Sequence, residues 1–118
     1  MAHTRLVATT GERIGKNEAL FREVNERIKE VSAANFGFGP ADLCEFVCEC
    51  SLQECHEPVP MTRLEYEDVR VHATHFLIAP GHVQSPGLEC AVAEYERYWV
   101  VEKHAGARRA AVNEDPRS

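Results

Sequence analysis

No stretch of this chain approaches the ~18–20 consecutive apolar residues that a bilayer-crossing helix needs, so no membrane association is expected. Nor does the start, Met1 to Thr10, hold the apolar core of a secretory signal: Leu6 and Val7 are adjacent and the run then stops. A cytoplasmic location is the expectation. Basic residues are also short, with 13 Lys and Arg against 19 Asp and Glu and a net charge of −6. That balance repels a phosphate backbone, and the Arg108-Arg109 pair is too brief a patch to reverse it, so nucleic acid is not an expected partner. Catalytic signatures are missing as well. No Ser/His/Asp arrangement, HExxH, paired-carboxylate set or P-loop is recognisable, and Gly37-x-Gly39 lacks the preceding strand and third glycine of a dinucleotide fingerprint. Large apolar residues are modest in number: Leu, Ile, Val and Phe total 27 of 118, just above the ~20% level below which disorder is expected. One small domain with a modest core follows.

What the chain does have is clustered sulfur. Its five cysteines are an odd number, and four of them, Cys44, Cys48, Cys50 and Cys55, fall within twelve residues. With no export signal, a disulfide framework fits badly, because the cytosol keeps thiols reduced. Soft ligands crowded into one short segment are instead how small chains bind zinc or iron. The sharpest unit is Cys48-x-Cys50-x4-Cys55. Cys48 and Cys50 share a side of an extended chain, and Ser51 to Glu54 give enough length to loop back and deliver Cys55. A structural zinc wants a fourth ligand. His82 is the first choice, since Ala79-Pro-Gly-His82 follows the apolar stretch Phe76–Ile78 and a Pro-Gly turn can aim the next side chain back at a neighbouring loop. His56, Cys44 and Cys90 are the other candidates. Cys44 reads more simply as core, and Cys90 as a small buried residue in an alternating stretch. His72 and His75 read as surface residues at a helix end, and His3 and His104 as tail residues.

Around this unit the pattern predicts an α+β domain: an N-terminal amphipathic helix packed on a small antiparallel sheet, with a Cys-rich metal loop and a second short helix. Residues 1–15 read as a flexible arm, 16–103 as the metal-binding domain and 104–118 as a disordered tail. From Lys16 to about Ala34, Leu20, Phe21, Val24, Ile28 and Val31 form a helical stripe, expected to face the core, with a docking surface for a partner chain or a second copy as the other reading. Arg22, Glu23, Glu26, Arg27, Lys29 and Glu30 are placed on the solvated face. Leu43–Val47 predicts a strand, and Glu57–Met61 an extended edge segment limited by Pro58 and Pro60. Thr62-x-x-Glu65 is a capping box that starts a helix to about Arg70, burying Leu64 and Val69, with Met61 and Tyr66 at the staple positions. Phe76–Ala79 predicts a strand. Leu88–Lys103 predicts a hairpin turning near Glu94–Arg97, against a rival helix over 88–97.

The motifs Phe46-x-Cys-x-Cys-x4-Cys55, Glu65-Tyr66-x-x-Val69-Arg70, Phe76-x-Ile-Ala-Pro-Gly-His82 and Tyr98-x-Val-Val-Glu-Lys103, together with the Phe21–Ile28 helix, resemble a group of small uncharacterised bacterial proteins over roughly residues 16–103. The resemblance implies that Cys48, Cys50, Cys55 and His82 act together; Cys44 and Cys90 lie outside its pattern. It implies no activity. The expected function is a protein-interaction or regulatory module held together by a structural zinc, with a protein partner or a second copy docking on the first helix. The competing expectation is a metal-dependent enzyme or a thiolate-based redox or iron sensor. In that case Cys48, Cys50 and Cys55 leave a coordination position open, and His75, His82 or Glu49 serves as a base.

Overall fold

Two short segments of alternating burial make the first sheet. In β1 (Leu43–Val47) Cys44 and Phe46 point inward while Leu43 and Glu45 face solvent, the period-two pattern of a strand with one covered face. It pairs antiparallel with β2 (Pro58–Thr62), whose Val59 and Met61 are buried beside it. Pro58 and Pro60 are tolerated because a two-stranded ribbon consists of edges. Thr62 ends the strand and caps α2 (Arg63–Arg70): its Oγ1 accepts from Glu65 N at 3.0 Å, and its own N–H donates to the Glu65 carboxylate at 2.9 Å. Val69 is buried as expected, but Leu64 is exposed; the inward place on this face belongs to Tyr66, which stacks on Phe46 with ring centroids 4.6 Å apart.

The computed structural model describes residues 10–35, 37–50, 55–83, 87, 89–113 and 115–117. Over these the chain is α+β. The N-terminal helix α1 (Thr10–Ala33) precedes the first sheet, and a second, three-stranded antiparallel sheet follows α2, made of β3 (His75–Ile78), β4 (Glu89–Glu94) and β5 (Trp99–Lys103) in the order β3-β5-β4. The β4–β5 hairpin is closed by Tyr95 N donating to Tyr98 O at 2.9 Å, so the rival helix over 88–97 does not form. Phe76, Leu77, Ile78 and Val101 are fully buried at the centre. Among the described residues no helix is long and apolar enough to cross a membrane.

Both predicted tails differ from expectation where they are described. The helix begins at Thr10, not Lys16, while residues 1–9 lie outside the described part. Beyond Lys103 the chain forms a further helix, α3 (Ala105–Asn113). Its alanines have the highest helix propensity, and packing against α1 supplies what a short isolated helix lacks. Arg22 of α1 donates to Ala111 O at 3.3 Å, and Ala111 is 1% exposed. Further on, Arg70 pairs with Asp115 at 2.5 Å, while Arg117 bonds Glu26 and forks onto Glu67 at 3.0 and 2.8 Å. The Arg117 fork, with Lys29 adding to it against the smaller opposing effect of burial, holds the Glu67 carboxyl down to about 2.

The orientation of α1 departs in part from the expected one: Glu23, Arg27 and Glu30 face solvent as expected and Phe21 is half-buried, but most of the stripe does not face the core. Leu20, Val24 and Val31 of the apolar stripe are 58%, 46% and 66% exposed, whereas Arg22 and Asn25 are fully buried. Ile28 is only partly buried against the core. The reason is hydrogen bonding. The inward side of α1 meets loop backbone as well as side chains, and loop backbone needs polar partners. Arg22 donates to Ala73 O at 2.7 Å and His75 O at 3.0 Å with its guanidinium 3.8 Å over the Phe76 ring. Hydrophobic periodicity locates a helix but does not say which face is covered when the buried groups on offer are carbonyls.

Candidate metal centre

β1 ends at Val47, and one more ladder bond, Cys48 N to Glu57 O at 3.0 Å, closes the neck of the cysteine loop. Residues 51–54 lie outside the described part. Cys48 and Cys50 are both fully buried, and Glu49 between them is buried too, its carboxylate turned to a different set of partners. Glu49 accepts from Asn25 Nδ2 at 2.8 Å and from Leu77 N at 3.0 Å, while its own N–H donates to Leu77 O at 2.9 Å. Asn25 also bonds both backbone groups of Val47, accepting from its N–H at 2.8 Å and donating to its carbonyl at 2.9 Å. One asparagine of α1 thus clamps the stretch that leads into the two cysteines, and the central strand-facing bonds of Glu49 tie the same stretch to β3. Desolvation pushes the Glu49 carboxyl above its ordinary pKa, with Arg22 and the Asn25 bond opposing.

From the other side, β3 runs into Ala79-Pro-Gly-His82. His82 N donates to Ala79 O at 3.1 Å, with Pro80 second and Gly81 third at φ +83. These are the residues and the positive φ that a type II turn requires. Nothing lies within 4 Å of where a Gly81 Cβ would stand, so Gly81→Ala is penalised through its backbone alone. It should lower stability by about 1–2 kcal/mol, read as a fall in the urea midpoint with unchanged slope. An unchanged midpoint would show that the turn relaxes without cost.

The turn brings His82 to the sulfurs. Its Nδ1 is 3.6 Å from Cys48 Sγ and 3.7 Å from Cys55 Sγ, and the ligand atoms of Cys48, Cys50, Cys55 and His82 all lie within 4.8 Å of one another. A tetrahedral ion with sulfur at about 2.3 Å and nitrogen at about 2.0–2.1 Å has S···N edges of about 3.6 Å. The group is therefore compact enough, and of the right chemistry, to hold a metal ion. Cys48 Sγ also accepts from Ala79 N at 3.2 Å, an outer donor of the kind that steadies a thiolate ligand. Without a cation the sulfurs oppose one another: the bond with Cys50 and then burial push the Cys48 thiol well above its ordinary range, and burial and then Cys50 raise Cys55. A bound dication reverses that logic by deprotonating the thiols it coordinates.

Of the other candidates, Cys44 is buried with its Sγ 3.4 Å from Ser32 Oγ, His56 is exposed, and neither joins the group. Cys90 also stays out of it, and it is exposed, contrary to the buried position expected from its alternating neighbours. Sequence reasoning gave Asn25 no role, and named Glu49 only as a base in the competing enzyme reading, not as the buried anchor it is. One signal was available for Glu49: a residue between two cysteines that turn one way must itself turn the other. Comparison of the chain with protein-family models, with curated proteins and with solved structures finds no significant match.

Proposed function

We propose that this protein is a small interaction module whose fold is organised by one structural zinc bound by Cys48, Cys50, Cys55 and His82. The observation that carries the reading is the pair of 3.6 and 3.7 Å separations from His82 Nδ1 to two sulfurs, which are the edges of a tetrahedron about a zinc-sized ion. Three sulfurs and one imidazole favour zinc over harder cations. His82 at the fourth corner weakens the rival reading of an open three-sulfur site, and Glu49, engaged by Asn25 and Leu77, is turned away from service as a base there. The same four positions support membership of the group of small bacterial proteins that share the F-x-C-x-C-x4-C and A-P-G-H pattern.

Function then lies on the surface, and the partner we assign is a second copy of this chain docked along α1. Leu20, Val24 and Val31 are exposed at spacings of four and seven residues, the seam of a two-helix coiled coil. Arg27 interrupts the seam, yet an antiparallel pairing that sets Leu20 against the partner's Val31 brings Arg27 beside the partner's Glu23, so the charges complement each other.

Metal analysis of protein produced in plain medium tests the first part: one colourless zinc per chain is expected. A brown chromophore would instead establish an iron or redox centre, and metal-free folded protein would overturn the assignment. Light scattering on the eluting protein tests the second. A dimer is expected that Val24→Glu converts to a zinc-replete monomer; a wild-type monomer would overturn the docking assignment and leave the zinc assignment standing.

A further inference from the structure

The three-stranded sheet carries a second set of metal-ligating side chains that the first site does not use. The register aligns His75 of β3 with Glu102 of β5, and Glu102 with Cys90 of β4. Directly opposed residues share a face of the sheet, and His104, two residues beyond Glu102, falls on that face as well. Side-chain geometry agrees. Cys90 Sγ is 3.3 Å from His104 Nε2, His75 Nε2 is 3.5 Å from the Glu102 carboxylate, and the ligand atoms of Cys90, Glu102 and His104 lie within 4.8 Å of one another. The separation of sulfur and nitrogen is again close to the tetrahedral edge of about 3.6 Å for a zinc-sized ion. Just past Cys90 the β4–β5 register slips between Ala91 and Ala93, a bulge of the kind that re-aims side chains next to functional sites.

We infer that Cys90, Glu102 and His104 form a second binding site for a borderline divalent cation such as Zn²⁺. It is open to solvent, with His75 as the outer residue orienting the Glu102 carboxylate. The site contrasts with the Cys3His group in two ways. It has three protein ligands, one each of sulfur, imidazole nitrogen and carboxylate oxygen, so a coordination position is left for water or an incoming ligand, which is the arrangement of catalytic or exchange sites. Cys90 is exposed rather than buried, so the ion enters and leaves without unfolding the domain. A cavity of about 280 Å³, lined in part by His72, His75, Val100 and Tyr98, meets the row at its outer residue, His75.

This inference does not rest on the first site, and the test separates the two. Reduced, full-length protein is stripped of metal, refolded in excess Co²⁺ and passed through a desalting column, and its bound cobalt and thiolate-to-cobalt charge-transfer band are measured before and after brief exposure to a weak chelator. Two equivalents are expected, one of which the chelator removes quickly together with part of the charge-transfer band. In the double variant Cys90→Ser/His104→Ala the labile equivalent and its share of the band should vanish while the tight equivalent and the circular dichroism spectrum stay unchanged. Glu102→Gln should weaken the labile equivalent at least tenfold, and His75→Phe by a smaller factor, since the outer residue orients and does not ligate. Equal cobalt uptake by wild type and the double variant overturns the proposal, as does a labile equivalent that carries no thiolate band. Failure of the first site would look different: the tight equivalent would be absent in both proteins.

Discussion

His82→Ala is expected to lose zinc and, with it, the folded state. Structural zinc contributes about 10–16 kcal/mol at neutral pH in small domains, whereas the net stability of a whole domain is roughly 5–15 kcal/mol. A chain with 27 large aliphatic and Phe residues in 118 has little burial to fall back on. The variant should bind no zinc after dialysis, lose its near-ultraviolet circular dichroism and unfold without a cooperative transition. Chelation of the wild type should reach the same end point, and zinc return should reverse it. His82→Cys supplies the control: four thiolates also make a closed tetrahedral site, so zinc and fold should both survive. A His82→Ala protein that stays folded with zinc tightly bound would show that the imidazole is not a ligand.

The second large effect is expected at Asn25→Leu. The substitution preserves volume in a fully buried position and deletes three hydrogen bonds at once, those to Val47 N, Val47 O and the Glu49 carboxylate. Each buried group left without a partner costs about 1–3 kcal/mol. Glu49 keeps its bond from Leu77 N, so a combined loss of roughly 3–5 kcal/mol is expected. Because the clamp fixes the residues on either side of Cys48, a competing chelator should also extract zinc faster from the variant. Asn25→Asp should be no better. It restores the acceptor for Val47 N but sets a second carboxylate beside that of Glu49. A change below ~0.5 kcal/mol, the range of ordinary surface substitutions, would mean that the metal loop holds its shape unaided.

Why sequence reading reached some of this and not the rest is visible residue by residue. Thr62-x-x-Glu65, the Pro80-Gly81 turn and the alternation in Leu43–Val47 are local devices, in which a few neighbouring side chains decide the backbone. The hairpin of β4 and β5 is nearly as local. Gathering Cys48, Cys50, Cys55 and His82 was readable because the ligand chemistry is rare and the Pro-Gly turn has few uses. Three features depended on groups far apart in the chain. Arg22 and Asn25 are buried by carbonyls of residues 47, 73, 75 and 111, which no window around residue 22 contains. The helical state of residues 105–113 depends on α1 being there to pack against. The row of His75, Glu102 and Cys90 exists only once three strands have taken one register. Sequence periodicity describes a segment's own repeat, and these features belong to pairs of segments.

The pairing of the first helix with the last has a consequence for how the protein comes into being on the ribosome. Arg22 and Glu26 are synthesised early, yet the carbonyl of Ala111 and the guanidinium of Arg117 that they engage emerge some ninety residues later. At an elongation rate of about 5–20 residues per second these two partners arrive several seconds after the helix, although Val47, Ala73 and His75 answer Asn25 and Arg22 sooner. Native docking of the first helix is thus completed only when translation has passed α3 and Arg117, and a nascent chain stalled before that point keeps one flank of Arg22 and Glu26 without its final partners.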